Sequence, residues 1–238
     1  MSASPSATLC PPSVRRGDFA HTPCYCEENV YLLCKQLCTS GLSGIGGMDL
    51  FVVFISNDRK QVPLWHQRAS VRTDGLVLWD YHVVCIQTSG EGNALVVWDL
   101  DSTLPFPVLL AQYVFEAIQP SAQLYPVFRR LFRVVHAPLF LHHFASDRRH
   151  MKDADGNWIS PPPTSNPIVG VDGILNNLDQ YMTIRTEEVA NTVQDALRSV
   201  FLQPLGVVVS ETQLEEFFTR IPLHQPSTNQ LLETNPLG

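Results

Sequence analysis

The apolar positions of this chain follow two rhythms. Val30, Leu33, Cys34, Leu37 and Cys38 recur at the three- and four-residue spacing of one helix face. This spacing predicts an amphipathic helix that opens near Cys26, carries Glu27 and Glu28 in its first turn where the helix dipole favours acids, and ends at Gly41. Elsewhere the apolar residues come in short runs rich in Val, Ile and aromatics. "LFVVFIS" (50–56) and "VPLW" flank an "NDRK" turn, and "LVLWDYHVVCIQ" (76–87) and "ALVVWDLD" (94–101) flank "TSGEGN". "RLFRVV" and "LGVVVS" read as further strands. Helical spacing returns at 107–118, starting on a proline as first turns allow, and in "EEVANTVQDALRSVF". Ser210 and Gln213 have capping-box spacing before "LEEFFTR". The pattern predicts one α/β (α+β) domain, a mainly antiparallel sheet packed against the Cys26 helix.

The hairpin around "TSGEGN" brings chemistry with it. A turn centred between Gly90 and Glu91 pairs Gln87 with Ala94, Val84 with Val97 and His82 with Asp99. Directly opposed residues have Cβ atoms about 4.5–5.5 Å apart on one face of the sheet, so a carboxylate can hold an imidazole nitrogen. A register slip of two brings Asp101 opposite His82 instead, and Asp80 also shares that face; the order of preference is Asp99, Asp101, Asp80. Cys26, at a helix N-terminus, sits where free N–H groups favour a thiolate, whereas Cys24 lies outside that field. A helix-opening cysteine with a His–Asp pair on neighbouring strands is the arrangement of papain-like thiol chemistry, and the order Cys, His, Asp fits its transglutaminase-like variant.

Composition narrows the alternatives. The 238 residues are 45% hydrophobic and 16% charged, enough for one sizeable core. The net charge of −7 without a basic run argues against nucleic acid as a partner. No secretory h-region and no membrane-length apolar run is present, so an intracellular protein with reduced thiols is expected. The C-x-C spacing of Cys24 and Cys26 is too tight for a zinc knuckle, and Cys34 and Cys38 fall on the helix's apolar face; no metal or cofactor is expected. The long segment 146–167 reads as an irregular loop and a candidate wall of the substrate cleft.

"CYCEEN", "FISNDRK", "VPLW", "WDYHVV", "DLDSTLPFP", "FRRLFRVV" and "FASDRRHMKDADGNW", in this order between about Phe19 and Pro163, resemble the protein N-terminal glutamine amidohydrolase family, and the likeness resumes near "LGVVVSETQLEEFFTR". The resemblance implies a papain/transglutaminase-like fold and hydrolysis of an N-terminal Gln to Glu with release of ammonia, feeding the N-degron pathway. It also implies Cys26 as nucleophile, His82 as its base and Asp99 as the orienting carboxylate. Glu27 and Glu28 are candidates for reading the substrate's α-ammonium. The expected organisation is a flexible arm at 1–18, one amidohydrolase domain at 19–221 with 168–204 longer than the family pattern, and a polar tail at 222–238. The expected partners are proteins or peptides with a free N-terminal Gln, met by a monomer in the cytoplasm, with the nucleus also open to it. Two rivals use the same residues or none: a papain-like protease or transglutaminase-type acyl transferase, and a non-catalytic module of the same fold.

Overall fold

The structure, a computed structural model, describes residues 14–90, 94–120, 122 and 124–222. A six-stranded antiparallel sheet forms its centre, in the order β6 (Val108–Leu109), β5 (Ala94–Trp98), β4 (His82–Gly90), β1 (Leu50–Ser56), β7 (Leu131–His136), β8 (Val207–Ser210). β1 is central and buried along its whole length. That is why "LFVVFIS" is a continuous apolar run rather than an alternating one. Leu50, Val52 and Phe54 join one core, and Phe51, Val53 and Ile55 join another on the opposite face. The fold is therefore mixed α/β, with a mainly antiparallel sheet covered on both sides.

On the first face lies α1 (Cys26–Thr39), through Val30, Leu33, Cys34 and Leu37, with α3 (Ala137–His143) and α4 (Leu178–Met182) beside it. The predicted helix is present, its last residue is Thr39, and Gly41 just past the Ser40 cap has the φ of 71° of a left-handed residue that follows a helix. The second face is covered by α2 (Leu110–Tyr113), α5 (Val193–Ser199) and α6 (Leu214–Arg220). The turn into β8 comes so close to β7 that a Cβ on Gly206 would meet the Val134 carbonyl at 2.0 Å. Only glycine fits there.

Several expected elements are shorter than the pattern suggested. The strand predicted over 76–87 is two strands, β3 (Val77–Trp79) and β4, broken at Asp80–Tyr81. There the Tyr81 N–H donates to Asp80 Oδ1 and Ser56 Oγ donates to the Asp80 carbonyl, turning the chain locally. β3 pairs with β2 (Val62–Leu64) in a separate two-stranded sheet. The helix expected over 107–118 begins only at Leu110, because Val108 and Leu109 add a short strand to β5; its second half is a π-turn over Val114–Ile118. "EEVANTVQDALRSVF" splits into a 3-10 turn at Thr186–Glu188 and α5, capped by Thr192, whose hydroxyl accepts from the Asp195 N–H. Before "LEEFFTR", the Gln213 side chain accepts from the Ser210 N–H, one half of the predicted capping box.

The hairpin register differs from the expectation. Cys85 pairs with Trp98, Ile86 with Val97 and Gln87 with Val96, a slip of two, and an irregularity between Gln87 and Gly90 absorbs it. Glu91, one of the two residues between which the predicted turn was centred, lies outside the described residues, as do 1–13 and 223–238 of the expected arm and tail. Residues 14–18 are held: Arg16 donates to the Leu104 carbonyl and its guanidinium lies 5.0 Å over the Phe106 ring. No helix among the described residues is long and apolar enough to cross a membrane.

Candidate active site

The first turn of α1 and the hairpin β4–β5 meet at one end of the sheet. Cys26 is the first residue of α1, and the approach to it is fixed by Asn29, whose side chain both accepts from the Thr22 N–H and donates to the Thr22 carbonyl. Cys26 is 8% exposed and His82 is wholly buried, so the opening to this site is narrow. The helix that Cys26 opens packs against β4, which carries His82 at its start. Cys24 is exposed, in a left-handed conformation with φ 68°, and has no part in this contact.

His82 Nε2 lies 3.0 Å from Asp99 Oδ1. The slipped register would have set His82 opposite Asp101, yet Asp99 stays on the same face as a diagonal neighbour, within reach of an imidazole. What selects Asp99 is its fixing. Its Oδ2 accepts from Tyr113 Oη at 2.8 Å and its Oδ1 from the Asp101 N–H at 2.9 Å. The Asp101 side chain turns elsewhere, to His21 Nε2 at 2.7 Å. Asp80 accepts from its neighbour's N–H, as described. The His82 ring stacks on Trp79 at 5.3 Å and 18°. With Nε2 on the carboxylate, Nδ1 is buried and has no hydrogen-bond partner among the described residues. This tautomer leaves Nδ1 a lone pair.

Burial raises the Cys26 pKa well above the usual thiol range; Glu27 and Asp101 add to the rise, and the Val83 N–H offsets only part of it. Burial here therefore opposes the thiolate that the helix N-terminus favours. Burial alone would push His82 down, but the charge of Asp99, its hydrogen bond and Asp101 together leave the His82 pKa raised. Burial likewise opposes ionisation of Asp99, and His82, Tyr113 and the Asp101 N–H overcome it, leaving its pKa lowered.

The two helix-opening glutamates are both buried and differ in partners. Glu28 is gripped by Arg148 through two bonds of 2.8 Å, and Arg148 also donates to the carbonyls of Pro163 and Ser165. Glu27 lies beside the thiol, with Oε2 3.8 Å from the Cys26 sulfur and accepting from Tyr81 Oη at 2.9 Å. Its Oε1 has no hydrogen-bond partner among the described residues. His150 Nε2, 3.4 Å from that oxygen, is likewise buried without one. Arg148 and His150 both come from the loop at 146–167, and Tyr25 Oη donates to the Ser160 carbonyl, so this loop closes over the start of α1.

The sequence reading passed over His21, Tyr81, Tyr113, Arg148 and His150. Tyr81 had a signal: it is adjacent to His82 and so points to the α1 side, where Glu27 lies. The others come from distant segments that only the fold brings in. His82, Asp99 and Asp101 offer ligand atoms within 4.8 Å of one another. Those of Asp99 and Asp101 already accept from Tyr113, the Asp101 N–H and the imidazoles, so a cation would have to displace a filled hydrogen-bond set. A cleft of about 1070 Å³ between Asn57–Arg59, Pro120–Leu131 and Ser210–Thr212 is lined by neither Cys26 nor His82.

A family model described as N-terminal glutamine amidase matches residues 21–218. Among curated proteins, the chain is 58% identical over 206 residues to the protein N-terminal glutamine amidohydrolase of Arabidopsis thaliana, covering 86% of this chain and 93% of that one. It is 53% identical to the protein of the same name from Oryza sativa subsp. indica, over 86% of this chain and 89% of that one. With the Homo sapiens protein of that name it shares 41% identity over 174 residues, 73% of this chain and 82% of the other.

Proposed function

Since the chain belongs to the N-terminal glutamine amidase family, we propose that it hydrolyses the side-chain amide of a glutamine at the N-terminus of a protein or peptide. The products are N-terminal glutamate and ammonia, and Cys26, His82 and Asp99 do the chemistry. The observation that carries this reading is the buried His82–Asp99 pair, whose Nδ1 has no hydrogen-bond partner among the described residues, at the start of the strand against which the Cys26 helix packs.

Cys26 Sγ attacks the δ-carbon of the substrate while its proton passes to His82 Nδ1. Asp99 steadies the imidazolium that forms, and Tyr113 and the Asp101 N–H keep that carboxylate in place. The N–H groups of the first turn of α1 have no intrahelical acceptor and can receive the oxyanion. Collapse breaks the C–N bond as His82 returns the proton to the leaving nitrogen, releasing ammonia and leaving a thioester. His82 then takes a proton from water, hydroxide adds to the thioester carbon, and the carboxylic acid departs as Cys26 regains its proton. A nucleophile 8% exposed suits a single side chain at a chain end better than a mid-chain glutamine or a peptide bond in a groove. This favours the amidohydrolase over the protease and transglutaminase readings. The substrates are proteins that enter the N-degron pathway, met by a monomer in the cytoplasm and nucleus.

The test is ammonia release from peptides that begin with Gln, acetyl-Gln and Asn at equal concentration. Release is expected from Gln alone. Anchoring the amine of Asn draws its carboxamide carbon back by one methylene, and about 1 Å of misplacement can cost 10²-fold in rate. Comparable rates on Gln and acetyl-Gln would overturn the reading and leave a general glutaminase.

A further inference from the structure

A buried carboxylate oxygen without a donor is costly, and it persists where a ligand supplies the missing partner. Glu27 Oε1 is such an atom, and His150 Nε2, at ion-pair distance of 3.4 Å from it, is also buried without a hydrogen-bond partner among the described residues; the other Glu27 oxygen lies beside the Cys26 sulfur. A neutral imidazole can present Nε2 as an acceptor, so one donor placed between the two atoms would satisfy both. We propose that Glu27 and His150 form the subsite for the substrate's α-ammonium, a primary ammonium that donates one N–H to Glu27 Oε1 and another to His150 Nε2. This rests on the N-terminal glutamine reading of the same site and names the groups that make the amine a requirement.

Among the described residues, no other carboxylate near the thiol has a buried oxygen without a hydrogen-bond partner. Glu28 is gripped by Arg148, Asp99 holds His82 and Tyr113, Asp101 holds His21, and Asp80 accepts from the Tyr81 N–H. Glu27 keeps one oxygen for Tyr81, which orients the carboxylate, and leaves the other for a cation. In glutamine, the amine and the attacked carbon are separated by the α, β and γ carbons. A subsite on the residue after the nucleophile, with Oε2 3.8 Å from the sulfur, suits that short span. The ammonium would also act on the nucleophile. Glu27 stands second only to burial in holding the Cys26 thiol protonated, and a bound cation cancels that field. A free N-terminus then both fixes the substrate and eases loss of the thiol proton, whereas an acetylated one does neither.

The probe is a peptide that begins with norleucine, which has glutamine's amine and a similar chain length but no carboxamide, compared with its acetylated form. Binding is read as protection of Cys26 from iodoacetamide, so no turnover is needed. The wild-type protein should be protected by the free-amine peptide and hardly at all by the acetylated one. Glu27→Gln should weaken the free-amine peptide on the order of 30-fold, as loss of one charge-assisted pair in a buried setting implies. It should leave the acetylated peptide unchanged and speed alkylation of the ligand-free enzyme at neutral pH. His150→Ala, should Glu27→Gln fail to fold, is expected to weaken the free-amine peptide on the order of 10-fold, as loss of a hydrogen bond to a charged group implies, with no effect on the acetylated one. Equal affinity of the two peptides for wild type, or unchanged preference in the variant that folds, would overturn the subsite. Ammonia release from Gln peptides by wild type separates failure of this subsite from failure of the proposed activity.

Discussion

Glu27 and Glu28 follow Cys26 in the first turn of one helix, and both are buried, yet they meet opposite surroundings. Both oxygens of Glu28 are taken by one arginine, whose other N–H groups are spent on loop carbonyls. The same saturation recurs at Arg130, which grips Glu211 and donates to the Pro63 carbonyl, and at Arg133, which binds Glu188 and three carbonyls. Around Cys26 the accounting does not close. Glu27 Oε1, His82 Nδ1 and His150 Nε2 are buried and lack a hydrogen-bond partner among the described residues. A filled polar network holds segments together and has nothing left to offer a ligand. An unfilled one carries a desolvation cost that a substrate can relieve. One residue's shift along the helix separates the two kinds.

The sharpest break is at the sulfur. Cys26→Ala should reduce ammonia release to background, since loss of a covalent nucleophile can cost on the order of 10⁶ in rate. Cys24→Ala, exposed and outside the hydrogen-bonded site, should keep most of the activity. Equal loss in both, with circular dichroism unchanged, would put the nucleophile elsewhere.

The next break separates the two hairpin aspartates. Asp99→Asn should cost about 10⁴ in kcat, as the wrong imidazole tautomer does in a serine-protease triad. Asp101→Asn should cost far less, because the Asp101 backbone N–H that supports Asp99 remains. The pH profile adds a signature. In the proposed mechanism the base is neutral His82, whose pKa is raised through Asp99 and Asp101 against the effect of burial. The rate should therefore climb with pH through a midpoint above the usual imidazole value of about 6.5. In Asp99→Asn that support is gone while burial, which acts downward, stays, so the residual activity should have its acid limb at lower pH. A limb that stays put would mean that another group titrates.

These residues also show what could be read from the chain. The continuous run 50–56 and the helical spacing from Val30 to Cys38 are long and one-sided, so the central strand and α1 were legible, and so was the contact between His82 and Asp99. The register was not. An irregularity near Gly90 shifted the pairs by two, and Asp99 kept its contact with His82 through the period-two alternation and the bonds from Tyr113 and Asp101 rather than through direct opposition. The choice between Glu27 and Glu28 was illegible for a different reason. Their partners, His150 and Arg148, lie more than a hundred residues away in a loop with no periodicity.

The smallest effect concerns stability and tests the contrast between the two glutamates directly. Arg148→Met leaves Glu28 buried without its counterion and removes the ties to Pro163 and Ser165. Breaking one side of a buried pair typically costs about 3–5 kcal/mol, and Arg148 reaches toward the surface loop, so the lower end, about 3 kcal/mol, is expected. Adding Glu28→Leu to Arg148→Met should recover much of that loss, because removing both members deletes the stranded charge. Glu27→Gln, measured in the same urea titration, should stay within about 1 kcal/mol of wild type. Its carboxylate has one oxygen already without a donor, and the amide keeps an oxygen for Tyr81. If Glu27→Gln destabilised the fold as much as Arg148→Met, both glutamates would be structural. The open oxygen beside Cys26 would then be part of the scaffold rather than a place kept for the substrate.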